Sequence, residues 1–116
     1  MTSSRTRRFG CEVEFALDVL GGKWKAVILA LLKERPRHYG DLRRLVPRLS
    51  DKMLSQRLAD LQNLGLIERR KVGRRGAPSE YRLTRRGNTL RPVLQALYEW
   101  GTTMARDLDA IIEPPG

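Results

Sequence analysis

The sequence predicts a mainly α chain carrying one small β-hairpin, an α+β arrangement, and three observations predict it. Leu54, Leu58, Leu61 and Leu64 recur at steps of four, three and three, the spacing of one stripe on a helix. After Gly65 the period shortens to alternation around the turn-rich run Gly73-Arg74-Arg75-Gly76-Ala77-Pro78. From Leu90 onward, Leu94, Leu97, Gly101, Met104, Leu108 and Ile111 continue a heptad seam.

Taken in order, residues 1–10 hold Arg5, Arg7 and Arg8 among Ser and Thr and read as a flexible basic tail. One domain is expected over 11–116. Val13, Ala16, Leu17 and Leu20 make a short amphipathic helix from Glu12 to Leu20, stopped by Gly21-Gly22. Trp24, Val27, Ile28, Leu31 and Leu32 make a second over Lys23–Lys33, closed before Pro36. A shorter third helix follows, capped by Gly40 with Asp41 in its first turn. Tyr39, Leu42, Leu45 and Val46 face inward, Arg43, Arg44 and Arg48 outward, and Pro47 limits its end.

The leucine stripe then forms a helix over about 51–64. Ser50 is a favourable N-cap, and Gly65 suits the left-handed conformation that ends a helix. Its free face carries Lys52, Ser55, Gln56 and Arg57, short polar and basic side chains suited to base edges and phosphates when a helix lies in a major groove. A short helix, a tight connection and a longer helix with a polar outer face make a helix-turn-helix. The expected hairpin, a wing over about 66–83, pairs Leu66–Val72 with Ser79–Leu83. Between Arg69 and Arg86 eight basic residues stand against one acid, Glu80, so Arg74 and Arg75 at the tip are placed for phosphates or a minor groove.

The last helix is expected over about 85–112, starting at Thr84. From Leu90 to Ile112 it would run about 35 Å at ~1.5 Å per residue, whereas a compact domain of this size has a radius of gyration of about 13 Å. Part of the seam should therefore overhang and need a second copy. The expected dimer surface comprises Val13 and Leu17 at the N-terminus and Leu94, Leu97, Gly101, Met104, Leu108 and Ile111 at the C-terminus. Pro92 either kinks this helix or sits in its first turn.

Composition narrows the function. A formal net charge of +10 on 116 residues points to a polyanionic partner, with nucleic acid ahead of a membrane surface, and the helix-turn-helix makes the expected partner double-stranded DNA. No run approaches the roughly 20 apolar residues of a membrane span, and the first residues lack the apolar core of a signal peptide, so the expected location is the cytoplasm. One cysteine and one histidine do not make the usual zinc site, and neither metal nor cofactor is expected. His38 has no nucleophile partner in the pattern, reads as a surface residue, and an enzyme is not expected. Trp24 and Trp100 lie on apolar stripes and read as core.

Several blocks together carry a resemblance: Cys11-Glu12-Val13-Glu14-Phe15-Ala16-Leu17, Gly21-Gly22-Lys23-Trp24, Leu42-Arg43-Arg44, Ser50-Asp51-Lys52-Met53-Leu54-Ser55-Gln56-Arg57-Leu58, Leu64-Gly65-Leu66-Ile67, Tyr81-Arg82-Leu83-Thr84 and Glu99-Trp100-Gly101. In this order the chain resembles the HxlR-type regulators, relatives of the MarR winged-helix proteins. The resemblance implies a winged helix-turn-helix with N- and C-terminal dimerisation helices, acting as a homodimeric transcription factor on a palindromic operator. It differs from the family pattern in Glu12 after the cysteine, Gly40 at a capping position and a more basic wing. The DNA-contacting set is then Lys52, Ser55, Gln56, Arg57, Arg43, Arg74 and Arg75. Cys11 is open to two readings, an inert apolar side chain or, as the resemblance adds, a thiol that senses oxidants or electrophiles. A MarR-like regulator gated by a small-molecule effector, with Cys11 structural, and a non-specific nucleic-acid-binding protein are the alternatives.

Overall fold

The computed structural model describes residues 7–71 and 73–113. Its elements are α1 (Glu12–Leu20), α2 (Lys25–Glu34), β1 (Arg37–His38), α3 (Tyr39–Leu45), α4 (Asp51–Asn63), β2 (Ile67–Lys71), β3 (Ser79–Leu83), α5 (Arg85–Asn88) and α6 (Arg91–Asp107). Mostly helical, with a three-stranded antiparallel sheet in the order β1-β3-β2, the chain has the expected class of fold.

Leu54, Leu58 and Leu61 on α4 are buried together with Ile28, Leu29 and Leu32 of α2, Leu42 of α3, and Ile67, Tyr81 and Leu83 of the sheet. At the N-terminus of α4 the Ser50 hydroxyl accepts from the Met53 N–H at 3.1 Å. At its other end Gly65 takes φ 74°, and the Gly65 and Leu66 N–H groups donate to the Gln62 and Leu61 carbonyls at 2.9 and 3.0 Å. This Schellman closure turns the chain from α4 into the wing. The wing base is fastened there too: the Arg86 guanidinium donates to the Leu64 carbonyl at 2.8 Å and the Thr84 hydroxyl to the Gly65 carbonyl at 2.6 Å. A Cβ at Gly87 would collide with the Leu66 carbonyl oxygen, so only glycine permits that approach.

Several expectations need correction. The face of α2 is rotated: Leu29 is buried and Val27 exposed. His38, expected at the surface, is half-buried in β1, where ring Nδ1 lies 2.9 Å from the Ser79 carbonyl oxygen. A two-residue strand carries too little alternation to be read from sequence. It is His38, not Gly40, that caps α3, and the Asp41 carboxylate accepts from the His38 N–H at 3.2 Å.

Residues 1–6 of the expected tail lie outside the described residues, but Arg7 to Gly10 are not free. Arg7 pairs with Asp18, the Gly10 N–H donates to Glu14, and the Phe9 and Phe15 rings meet edge-to-face at 5.1 Å. The single C-terminal helix is two. Pro92 lacks the N–H that would bond to the Asn88 carbonyl, so the helix breaks after Asn88, and Pro92 sits in the first turn of α6.

Leu94, placed on the dimer seam by its spacing, is buried in the domain core at 4% exposure. Leu108 and Ile111 do not continue the seam, because α6 ends at Asp107. Asp109 adopts φ 56°, and the Ala110 N–H returns to the Ala105 carbonyl at 2.7 Å. Aspartate here takes the left-handed closing position usually given to glycine, which left no glycine to signal the stop. Trp100, read as core, is 66% exposed. A radius of gyration of 15.8 Å exceeds the value of about 13 Å for a compact chain, as the projecting helices require.

Candidate nucleic-acid interface

The outward face of α4 opposes its leucine stripe. Lys52, Gln56, Ala59 and Asn63 recur at steps of four, three and four along it, all exposed. Gln56 donates through Nε2 to Asp60 at 3.2 Å, which orients its amide without burying it. Lys52 has no acidic partner among the described residues. The stripe is thus short side chains with one free cation, able to approach another surface closely.

Ser55 lies to one side of this stripe. Its Oγ is 3.4 Å from the Tyr39 hydroxyl, which donates to the Asp51 carboxylate at 2.7 Å. Asp51 also pairs with Arg43 Nε at 3.0 Å, and Arg43 reaches the Leu49 carbonyl. Arg43, expected to contact DNA, therefore ties α3 to the start of α4. Arg57 is half-buried, with a terminal guanidinium nitrogen 3.2 Å from Asp60 and Nε buried without a hydrogen-bond partner among the described residues. Both cations belong more to the scaffold than to the free face. Spacing alone had placed them outward because residues flanking a core stripe are exposed or covered according to what packs alongside.

The wing supplies the exposed charge. Ile67 pairs with Leu83, Arg69 with Tyr81 and Lys71 with Ser79, so Arg69 shares the sheet face that carries Tyr81 into the core. At the tip, Gly73 and Gly76 take φ 87° and 86°, Arg74 and Arg75 are exposed, and neither has an acidic partner among the described residues. Arg82 lies 3.9 Å from Glu68 across the ladder. Two residues not singled out from sequence belong to this surface, Tyr39 and Arg69. The signal for Arg69 was present in its two-residue step from Ile67; none marked the Tyr39 hydroxyl.

Cys11 stands at the N-cap of α1, exposed, with extended backbone. With Phe9, Gly10, Glu12 and Phe15 it lines a shallow pocket of about 430 Å³. Around it, α1 buries no residue, and Val13, Phe15 and Leu17 are exposed. On α6, Val93, Leu97, Tyr98 and Trp100 are exposed as well. Among the described residues no helix is long and apolar enough to cross a membrane, and no group of three or more His, Cys, Asp or Glu could hold a metal.

Comparison with known proteins places this geometry. Residues 19–109 match the model of the HxlR-like helix-turn-helix family. Over 95 residues the chain is 37% identical to the HTH-type transcriptional regulator YkvN of Bacillus subtilis, covering 82% of this chain and 80% of that one. The fold is similar to that of the redox regulator HypR in its reduced form, with a TM-score of 0.79, 32% identity, and coverage of 87% of this chain and 100% of that chain. It is also similar to quinone-bound YodB of B. subtilis, with a TM-score of 0.65, 29% identity, and coverage of 79% and 97%.

Proposed function

The chain belongs to the HxlR-like helix-turn-helix family and is an HTH-type transcriptional regulator rather than an enzyme, and from this premise we propose that it binds a palindromic operator as a homodimer. In this reading α4 enters the major groove, the wing reaches the adjacent minor groove, and α1 with α6 joins the two copies. The observation that carries it is the pairing of two uncovered surfaces: the polar stripe of α4 beside a basic wing tip with no acidic partner among the described residues, and the apolar residues of α1 and α6. Lys52 and Gln56 read bases, and Arg74 and Arg75 hold phosphates. Leu97, Gly101 and Met104 contribute to the interface from α6 and Val13 and Leu17 from α1, while Leu108 and Ile111 join from beyond the helix. Half-sites about one helical turn apart, ~10 bp or a multiple, follow from two-fold symmetry. Sedimentation at micromolar concentration tests it: a monomer, or a monomer that binds the palindrome as tightly as a dimer, contradicts the reading.

The signal enters at Cys11. Support comes from its exposure at a helix start beside two aromatic rings, and from similarity to a redox regulator and to a structure with bound quinone. With a single cysteine per chain, oxidation ends in a sulfenic acid, a mixed disulfide, an electrophile adduct or a bridge to the second copy. Any of these perturbs α1 and thereby the spacing of the two recognition helices. Wild type and Cys11→Ser treated with diamide or a quinone should differ in operator binding. Unchanged wild-type binding after confirmed reaction of Cys11 would leave the thiol a structural residue and move the effector elsewhere.

A further inference from the structure

Between the helix-turn-helix and the wing lies a cleft of about 360 Å³, lined by Tyr39 and Gly40 of α3, Ser55 of α4, and Arg69 and Ser79 of the hairpin. If α4 occupies a major groove and the hairpin tip the adjacent minor groove, one sugar-phosphate strand separates the two grooves and has to pass between helix and hairpin. That passage is this cleft.

Its chemistry suits a phosphate. Arg69 projects from the inner face of the wing, opposite Tyr81, whereas Arg70 belongs to the other face, and Arg69 has no acidic partner among the described residues. The Tyr39 hydroxyl is committed as a donor to Asp51, so in its 3.4 Å contact with Ser55 it is the acceptor; that contact is long, and the Ser55 proton can turn from it to an incoming phosphate oxygen. Asp51, the acid bonded to Tyr39, is also met by Arg43 and presents less uncompensated charge to an incoming anion.

We propose that Arg69 and Ser55 clamp one backbone phosphate of the operator strand that runs between the two grooves. The clamp rests on the DNA-binding reading and deepens it. It places Ser55 on the backbone rather than at base edges, and it gives Arg69 a phosphate at the boundary between the grooves, apart from those held by the tip arginines. Contacts of this kind fix the register of a protein on the duplex and carry no sequence information of their own.

The test uses the full chain and operator duplexes carrying a single neutral methylphosphonate at successive positions, with wild type, Arg69→Gln and Ser55→Ala. Arg69→Gln should weaken operator and random duplex by the same factor and lower the salt slope by about 0.9, the value for one phosphate. At one position in each half-site the methylphosphonate should weaken wild type and cost Arg69→Gln nothing further, and Ser55→Ala should single out the same position. If the losses multiply at every position, or if Arg69→Gln changes base preference, the clamp is wrong. Inorganic phosphate that raises the melting temperature of wild type but not of Arg69→Gln would make the cleft a free-anion site and overturn the backbone assignment. Wild type that binds no duplex at all removes the DNA reading and the clamp with it, whereas normal wild-type binding with multiplicative losses removes the clamp alone.

Discussion

From Ile28 to Leu94 the chain covers most of its own large apolar side chains: α2, α4 and the sheet share one core, and the joint between α4 and the wing is closed by Gly65, Thr84 and Arg86. At the two ends the same chain does the opposite. Helix α1 buries nothing, and α6, once past Leu94, carries Leu97, Tyr98 and Trp100 into solvent. Both regions are amphipathic helices with similar apolar spacing. Amphipathic period therefore specifies that a face will be covered, not by what; in the middle the cover is the domain, and at the ends it is, in the proposed dimer, the second copy.

The largest expected effect tests the first half of that contrast. Leu58, 1% exposed, should cost about 2–5 kcal/mol when replaced by Ala, while Leu97→Ala in a dilute, monomeric sample should stay within about 0.5 kcal/mol. Urea unfolding measures both, and similar losses would mean that α6 is covered by its own chain after all. Next, Trp100→Glu, placing a charge on the uncovered face, should leave the fold intact, shift sedimentation to monomer, and reduce affinity for a full palindrome by on the order of 10²-fold, with half-site affinity unchanged. A fully dimeric Trp100→Glu protein would move the interface to α1.

Within the middle region the same contrast recurs on a smaller scale between reading and holding. Gln56→Ala should cost roughly 1–3 kcal/mol on the operator and little on random duplex. Arg75→Gln should weaken both alike and flatten the salt dependence by about 0.9 of a unit of slope. Equal losses on both duplexes for Gln56→Ala would show that the outer stripe of α4 is not the reading face.

How much of this was legible in the sequence follows from the kind of signal each element leaves. Helix α4 was readable to within a residue because its stripe, its Ser50 cap and its Gly65 stop all agree. The wing was readable from alternation and turn residues, with strands at Ile67–Lys71 and Ser79–Leu83. Strand β1 was not, since Arg37 and His38 are too few to show a period and their pairing with Tyr81 and Glu80 is long-range. The end of α6 was missed because Asp109 closes it without glycine, and a seam that persists in sequence past Asp107 does not persist in space. At the candidate site, Lys52, Gln56, Arg74 and Arg75 were placed correctly as exposed, whereas Arg43 and Arg57 were not distinguishable from them. Whether an arginine beside a core stripe is free depends on partners such as Asp51 and Asp60, and side-chain pairing has no spacing rule across elements.

The smallest expected effect concerns how the self-covered region responds to acid. Asp41 sits three residues into α3 from its cap, and the hydrogen bond from the His38 N–H, aided by the Arg44 guanidinium, holds its carboxyl below the ordinary 3.8 against an opposing contribution from burial. A carboxyl more acidic in the folded than in the unfolded chain adds stability at pH above its unfolded value, and that contribution is lost as pH falls through the folded value. Asp41→Ala should therefore melt below wild type at neutral pH, and the gap between the two should close as pH drops through and below about 4. A gap that stays constant down to the acid limit would mean that the substitution acts through lost helix packing rather than through the cap. A gap absent at neutral pH would remove this capping bond from what holds α3 against α4, leaving the Arg43 and Tyr39 contacts to Asp51 as the joint that sets their angle.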